Sequence, residues 1–224
     1  MTSGPKSPLR VVVLGAPCSG KSTLASQAAK EFGLTHLAFH RLCRCEYEVK
    51  SEVGMRWRRH TLKNEAFVVG LANQIIRPYL DKNPRFVLDG FPKRTDELEY
   101  LRERYNDIDA VLLLDIPFEM LLSRVGERLQ CPDCWTSFLK AARRENTCPE
   151  CGARGERRQD DEEAVFRKRW EDFQHFGDAM FEGLSSFSNM ACRVASVEEG
   201  VTTLRRFLKP GSGGGASSQR HGTK

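Results

Sequence analysis

Gly15-Ala16-Pro17-Cys18-Ser19-Gly20-Lys21-Ser22-Thr23 is the stretch that decides the fold. It fits the pattern G-x-x-x-x-G-K-[ST], and its flanks are those the pattern requires. Before it, Leu9-Arg10-Val11-Val12-Val13-Leu14 is a short β-branched apolar run that reads as a buried parallel strand. After it, Lys21 to about Phe32 carries a helical pattern closed by Gly33. Glycines let backbone N–H groups curl around phosphates, and the helix N-terminus adds positive potential. Lys21 would neutralise the phosphates, and Ser22 or Thr23 would face Mg2+. An ordinary glycine-rich turn is the rival reading, but it does not require this strand and helix.

Working outward, the rhythm is one of strands alternating with helices. Thr35 to Ala38 is a weak strand candidate, and Leu42 to Leu80 is helical, with interruptions near Gly54 and Asn64. Arg85-Phe86-Val87-Leu88-Asp89 and Ala110 to Asp115 are apolar strands that each end in an aspartate. Phe118 to Arg128 reads as a helix after Pro117, so that Arg124 and Arg128 share one helical face. Helical periodicity resumes from Asp161 to about Phe187, followed by a strand at Ala191 to Ala195 and a helix from Val197 to Leu208. This alternation predicts a three-layer α/β fold around a parallel sheet of about five strands, with ligands beyond the strands' C-terminal ends.

Composition narrows the class. The chain has 224 residues, 40% hydrophobic and 29% charged, enough for one α/β domain with insertions or at most two small domains. A net charge of +5, from 35 basic and 30 acidic residues, suits phosphate binding without demanding a polyanion. No apolar run approaches the roughly 20 residues that span a bilayer. The start, from Met1 to Leu9, shows no secretory h-region, so no membrane partner and a cytoplasmic location are expected.

The segment from Leu129 to Gln159 breaks the rhythm, being rich in Cys, Arg, Gly and Pro and poor in core residues. Its Cys131-Pro132-Asp133-Cys134 and Cys148-Pro149-Glu150-Cys151 are two C-P-x-C knuckles. Four thiolates so spaced suit tetrahedral Zn2+ in a closed, structural site, and a segment with so little core needs such a staple. Redox pairs are a rival that two like knuckles in one insertion disfavour. The other four cysteines, Cys18, Cys43, Cys45 and Cys192, read as free thiols, with Cys192 buried in its strand. Arg143, Arg144, Arg154, Arg157 and Arg158 raise a zinc-ribbon nucleic-acid binder as another rival. Phosphate binding accounts for the same charges, so no nucleic-acid partner is expected.

Four stretches together resemble the adenylate kinase family. Gly15-Ala16-Pro17 through Thr23 is similar to that family's loop, and Asp89-Gly90-Phe91-Pro92-Lys93 to its D-G-[FY]-P-R signature. Arg124-Val125-Gly126-Glu127-Arg128 and the stretch from Arg158 through Asp160 and Asp161 to Arg169 are similar to its remaining signatures. The resemblance runs in order from about Leu9 to Leu208. It implies a P-loop nucleoside-monophosphate kinase moving the γ-phosphoryl of ATP to a nucleoside monophosphate, AMP in the family. It further implies that Lys21, Arg124, Arg128, Arg158 and Arg169 are catalytic, with Arg124 and Arg128 on the ATP side. Arg158 and Arg169 also reach the monophosphate, and Asp89 orients Mg2+ through water. Residues 129–159 would be a zinc-bearing lid and residues 38–67 a monophosphate-binding insertion, within a kinase domain spanning 9–208. Residues 1–8 would be a flexible arm and the Gly/Ser-rich 209–224 a disordered tail. A monomer is expected.

The acceptor half departs from the resemblance. Where the family has S-T-G-D, this chain has Ala38-Phe39-His40-Arg41; Arg44 remains in the place of a phosphate-holding arginine. Lys93 replaces the signature's arginine and is followed by Arg94. The family's base-reading glutamine aligns with Glu97, or with Leu98 if Arg94 is the true counterpart. A carboxylate has no donor for adenine N1 but can take the two N–H groups of guanine. Glu97 as a solvated helix charge is the bland alternative. Such an altered site also leaves room for an ATP-binding regulator with little catalytic activity.

Overall fold

In the computed structural model, β1 (Leu9–Gly15) runs through the middle of a parallel sheet. The structure describes residues 7–63, 70–140 and 146–208. Chain order from β1 is α1 (Lys21–Phe32), β2 (Thr35–Ala38), α2 (Phe39–Glu48), α3 (Glu52–Lys63) and α4 (Leu71–Lys82). There follow β3 (Arg85–Asp89), α5 (Thr95–Arg104), β4 (Ala110–Leu114) and α6 (Phe118–Glu127). The short strands β5 (Arg128–Gln130) and β6 (Ser137–Leu139) come next, then α7 (Glu163–Ser185), β7 (Ala191–Val194) and α8 (Val197–Leu208). The five-stranded sheet has the order β2-β3-β1-β4-β7. The predicted arm, tail, Asn64 break, Arg143 and Arg144 lie wholly or largely outside the described residues.

Successive side chains of a strand point to opposite faces, and the apolar strands use both. On one face Val12, Leu88 and Leu113 pack with Leu42, Ile75, Leu101 and Leu184 from α2, α4, α5 and α7. On the other, Val11, Val87 and Leu112 pack with Leu24, Leu121 and Leu204 from α1, α6 and α8. Each such side chain contributes about 1.5–3 kcal/mol when buried. The reversal point of the strand order, between β1 and β3 on one side and β4 on the other, opens the crevice in which a ligand binds.

Three expectations are corrected. Arg128 does not continue the helix: its ψ of 134° turns the chain into β5, so it shares no helical face with Arg124. The break assigned near Gly54 falls earlier, between Glu48 and Glu52, while Gly54 sits inside α3. A Cβ there would lie 2.3 Å from the Glu46 carbonyl carbon, so this glycine exists for the close approach of α2 and α3. Cys192 is only half-buried, because β7 is an edge strand.

Between α6 and α7 the chain leaves the sheet for the cysteine-rich segment. There β5 and β6 pair antiparallel, Arg128 opposite Leu139 and Gln130 opposite Ser137. An isolated bridge from Gln130 to Glu156 holds the rest of the segment to this hairpin, and another from Thr147 to Arg154 closes the turn of the second knuckle.

Candidate active site

The turn from β1 to α1 is shaped by its glycines. Gly20 takes φ 99°, and a Cβ on Gly15 would come within 2.6 Å of the Ser19 hydroxyl. Ala16 O accepts hydrogen bonds from Ser19 N at 3.2 Å and from Lys21 Nζ at 2.8 Å, which folds the lysine back over the loop. Pro17 lies in the turn, and Cys18 adopts a positive φ of 64° where a glycine would be unstrained. Ser22 and Thr23 are exposed in the first turn of α1.

Asp89 ends β3 and is flanked in register by Val13 of β1 and Ala38 of β2, which places its carboxylate beside the loop. Burial would raise its pKa, but hydrogen bonds from His36 and Ser22 and the charge of Lys21 hold it down to about 2. The His36 Nε2 to Asp89 Oδ2 distance is 3.3 Å. Desolvation lowers the Lys21 pKa to about 8, with Asp89 opposing it and the positive Lys93 adding to it. An ionised carboxylate beside a phosphate loop suits Mg2+ held through water, and Asp89 with Ser22 fits that ion.

The arginines converge with partners of their own. Arg124 donates to the loop carbonyls of Cys18 and Ser19 at 3.4 and 3.2 Å. Arg128 pairs with buried Asp161, Nε to Oδ2 at 2.8 Å. One oxygen of Asp160 accepts from both Arg158, at 2.7 Å, and Arg169, at 3.4 Å. Burial lowers the Arg169 pKa; Asp160 opposes this, while Arg158 and Arg128 reinforce it. Cations that repel one another in one cleft are arranged for an anion of high charge.

On the acceptor side, Lys93 lies over Gly90, with Nζ 3.9 Å from where a Cβ would stand. Glu97 is 3% exposed, and its Oε2 accepts from the Lys93 backbone N–H at 2.6 Å. Burial raises its pKa, and the Lys93 N–H and charge oppose the rise. Leu98 instead packs into the core, against Gly183 of α7. His40 keeps exposed surface at the cleft mouth. Desolvation lowers its pKa to about 4; Asp89 opposes this, and Arg41, Lys93 and Arg158 reinforce it. Arg44 pairs with Glu48 in the next turn of α2. It also reaches the cysteine-rich segment, donating to Pro132 O at 3.3 Å. The positions of His36, Asp160 and Asp161 were missed from the sequence as site features, although both aspartates stand within the quoted 158–169 stretch.

The four knuckle sulfurs lie within 4.8 Å of one another. Cys131 to Cys151 and Cys134 to Cys148 are each 3.4 Å apart, far beyond a disulfide bond. Tetrahedral Zn2+ with bonds of about 2.3 Å needs sulfurs roughly 3.8 Å apart, so this donor set fits the ion. Among the described residues no helix is long and apolar enough to cross a membrane.

Known proteins are similar to this sequence. The adenylate kinase family model matches residues 13–187. The adenylate kinase of Caldicellulosiruptor saccharolyticus is 29% identical over 213 residues, covering 90% of this chain and 98% of its own. That of Petrotoga mobilis is 26% identical, covering 78% of this chain and 84% of its own. That of Caldicellulosiruptor bescii is 30% identical, covering 73% and 80%. With its five-stranded parallel sheet and phosphate loop, this chain belongs to the adenylate kinase family and is a phosphotransferase of the nucleoside-monophosphate kinase type.

Proposed function

We propose that the chain passes the γ-phosphoryl of ATP to AMP, with Glu97 beside the acceptor base. The observation that carries this reading is the convergence of Lys21, Lys93, Arg128, Arg158 and Arg169 on the crevice beside Asp89. Residues 15–23 hold the β- and γ-phosphates, with Arg124 against the loop. Arg44 and Lys93 grip the acceptor phosphate, and Arg158 and Arg169 span the two. Mg2+, bound with ATP near Asp89 and Ser22, would neutralise charge on the β- and γ-oxygens.

An oxygen of the acceptor phosphate attacks the γ-phosphorus while the β–γ bridging oxygen leaves, giving two diphosphates. The protein has little covalent work in such a transfer; it aligns the reactants and stabilises the spreading charge. Residues 129–159, with Zn2+ at Cys131, Cys134, Cys148 and Cys151, act as a lid that keeps water from the γ-phosphoryl. Residues 38–67 form the acceptor's side of the cleft.

The name the relatives share, adenylate kinase, supports AMP as the acceptor. Glu97 makes the preference weaker than an amide would: its carboxylate can take adenine N6–H but repels the N1 lone pair, whereas guanine offers it two hydrogens. A coupled assay of AMP, GMP, CMP, UMP and dTMP with ATP as donor tests the reading. Turnover highest with AMP, followed by GMP, supports it. Calorimetric binding of ATP with no monophosphate bound or turned over would instead identify a regulator. Undiminished activity in Lys21→Ala would remove the loop from the mechanism.

A further inference from the structure

The two cysteine knuckles end differently although their backbones agree. After Cys148-Pro149-Glu150-Cys151 the chain places Gly152 at φ 78°; after Cys131-Pro132-Asp133-Cys134 it places Trp135 at φ 60°. Both positions are left-handed, where glycine is unstrained and a side chain is not. A knuckle turn thus has a natural residue, which the second knuckle uses and the first does not. Trp135 also keeps 39% of its surface exposed and belongs to neither face of the core, so core packing does not account for it.

Its partner does. The Arg44 guanidinium lies over the Trp135 ring, 4.9 Å from the centroid, while one of its N–H groups donates to Pro132 O at 3.3 Å. Arg41, on the same side of α2, donates to Thr136 Oγ1 at 2.9 Å. The turn behind these contacts is tied by Trp135 N to Cys131 O and Cys131 N to Thr136 O, each at 3.0 Å. A stacked guanidinium keeps its edge available; here Glu48 takes Nε and Pro132 one further N–H, and the remaining donors are left for an anion.

We propose that Trp135 is a positioning residue for the acceptor phosphate: presented by the first knuckle, it stacks on Arg44 and fixes the guanidinium for that phosphate. The proposal rests on the reading of Arg44 as an acceptor-phosphate ligand. It has a mechanical corollary, since the segment that covers ATP then also sets the grip on the second substrate.

The test is steady-state kinetics of the full chain bearing Trp135→Gly, Trp135→Phe or Arg44→Ala, and of the Gly and Ala changes combined. Trp135→Gly relieves the backbone, so its unfolding temperature and the metal content of the four-cysteine centre should equal or exceed wild type. Its KM for the monophosphate should nevertheless rise two- to fivefold, about the worth of an exposed cation–π contact, with KM for ATP unchanged. Trp135→Phe should recover most of the loss. The combined variant should be no worse than Arg44→Ala alone. If Arg44→Ala raises the monophosphate KM but Trp135→Gly leaves it unchanged or lowers it, Trp135 does not position Arg44 and the proposal is overturned alone. If Arg44→Ala itself leaves that KM unchanged, the assignment of Arg44 falls and the proposal with it.

Discussion

Arg128 and Asp161 clasp each other across the base of the inserted hairpin, the arginine at the first residue of β5 and the aspartate just before α7. Both guanidinium nitrogens on that edge are engaged, and the side chains are 11% and 0% exposed. Burial would lower the Arg128 pKa, but the bonds and charge of Asp161 raise it. Replacing Asp161 with Ala leaves a buried guanidinium unpaired, at a cost of about 3 kcal/mol. Urea unfolding of Asp161→Ala should show that loss, and a change below about 1 kcal/mol would show that water replaces the carboxylate.

Lys21 should take up a proton when ATP binds in alkaline solution. Its pKa of about 8 reflects desolvation, which the triphosphate charge would offset. Near pH 6 the lysine is already charged and the uptake is close to zero; near pH 9 it approaches one proton. Calorimetry in buffers of different ionisation enthalpy reads this directly. Stability carries the opposite sign: the folded pKa lies below the unfolded one, so the unfolded chain binds more protons between about pH 8 and 10. The penalty from this lysine is therefore relieved as pH rises through 8.

Gly54→Ala should destabilise the protein by about 3 kcal/mol, because its Cβ would meet the backbone of Glu46 and α2 would have to move away. Arg41 and Arg44 ride on α2, so the monophosphate KM should rise with little change in KM for ATP. Thermal unfolding and the two KM values check it; a neutral Tm would mean that α2 and α3 separate easily.

Glu97→Gln should shift preference toward AMP without unfolding α5, since the amide carbonyl can still accept the Lys93 N–H. Removing a charge–lone-pair mismatch of about 1–3 kcal/mol changes the AMP-to-GMP turnover ratio by roughly 5- to 150-fold. An unchanged ratio would leave Glu97 with only its bond to Lys93.

The middle of the sheet was legible because β1, β3 and β4 are apolar runs buried on both faces, and α1 because Gly20 and Gly33 mark its ends. Less legible was anything decided across the chain. Periodicity carried α6 one residue too far, since only the pairing of β5 with β6 takes Arg128 out of the helix. Gly54 looks like a helix breaker in one dimension and proves to be a packing residue in three. Cys192 sits in an apolar strand, but strand order, which places β7 at the edge, is not written in its neighbours. Among the site residues, the loop pattern is local and was readable. Besides Glu48 in its own helix, Arg44 meets Pro132, 88 residues away, and the partners of Arg128 and Arg124 are likewise distant, so that geometry had no local signature.

The single oxygen of Asp160 shared by Arg158 and Arg169 changes what kind of reaction substrate binding is. The two guanidinium groups do not wait as bare charges; an internal anion already occupies the place of an external one. Under the role proposed for these arginines, an arriving phosphate would exchange with a carboxylate and not only with counterions from solution. The affinity of this centre should depend on ionic strength less steeply than a count of its cations implies.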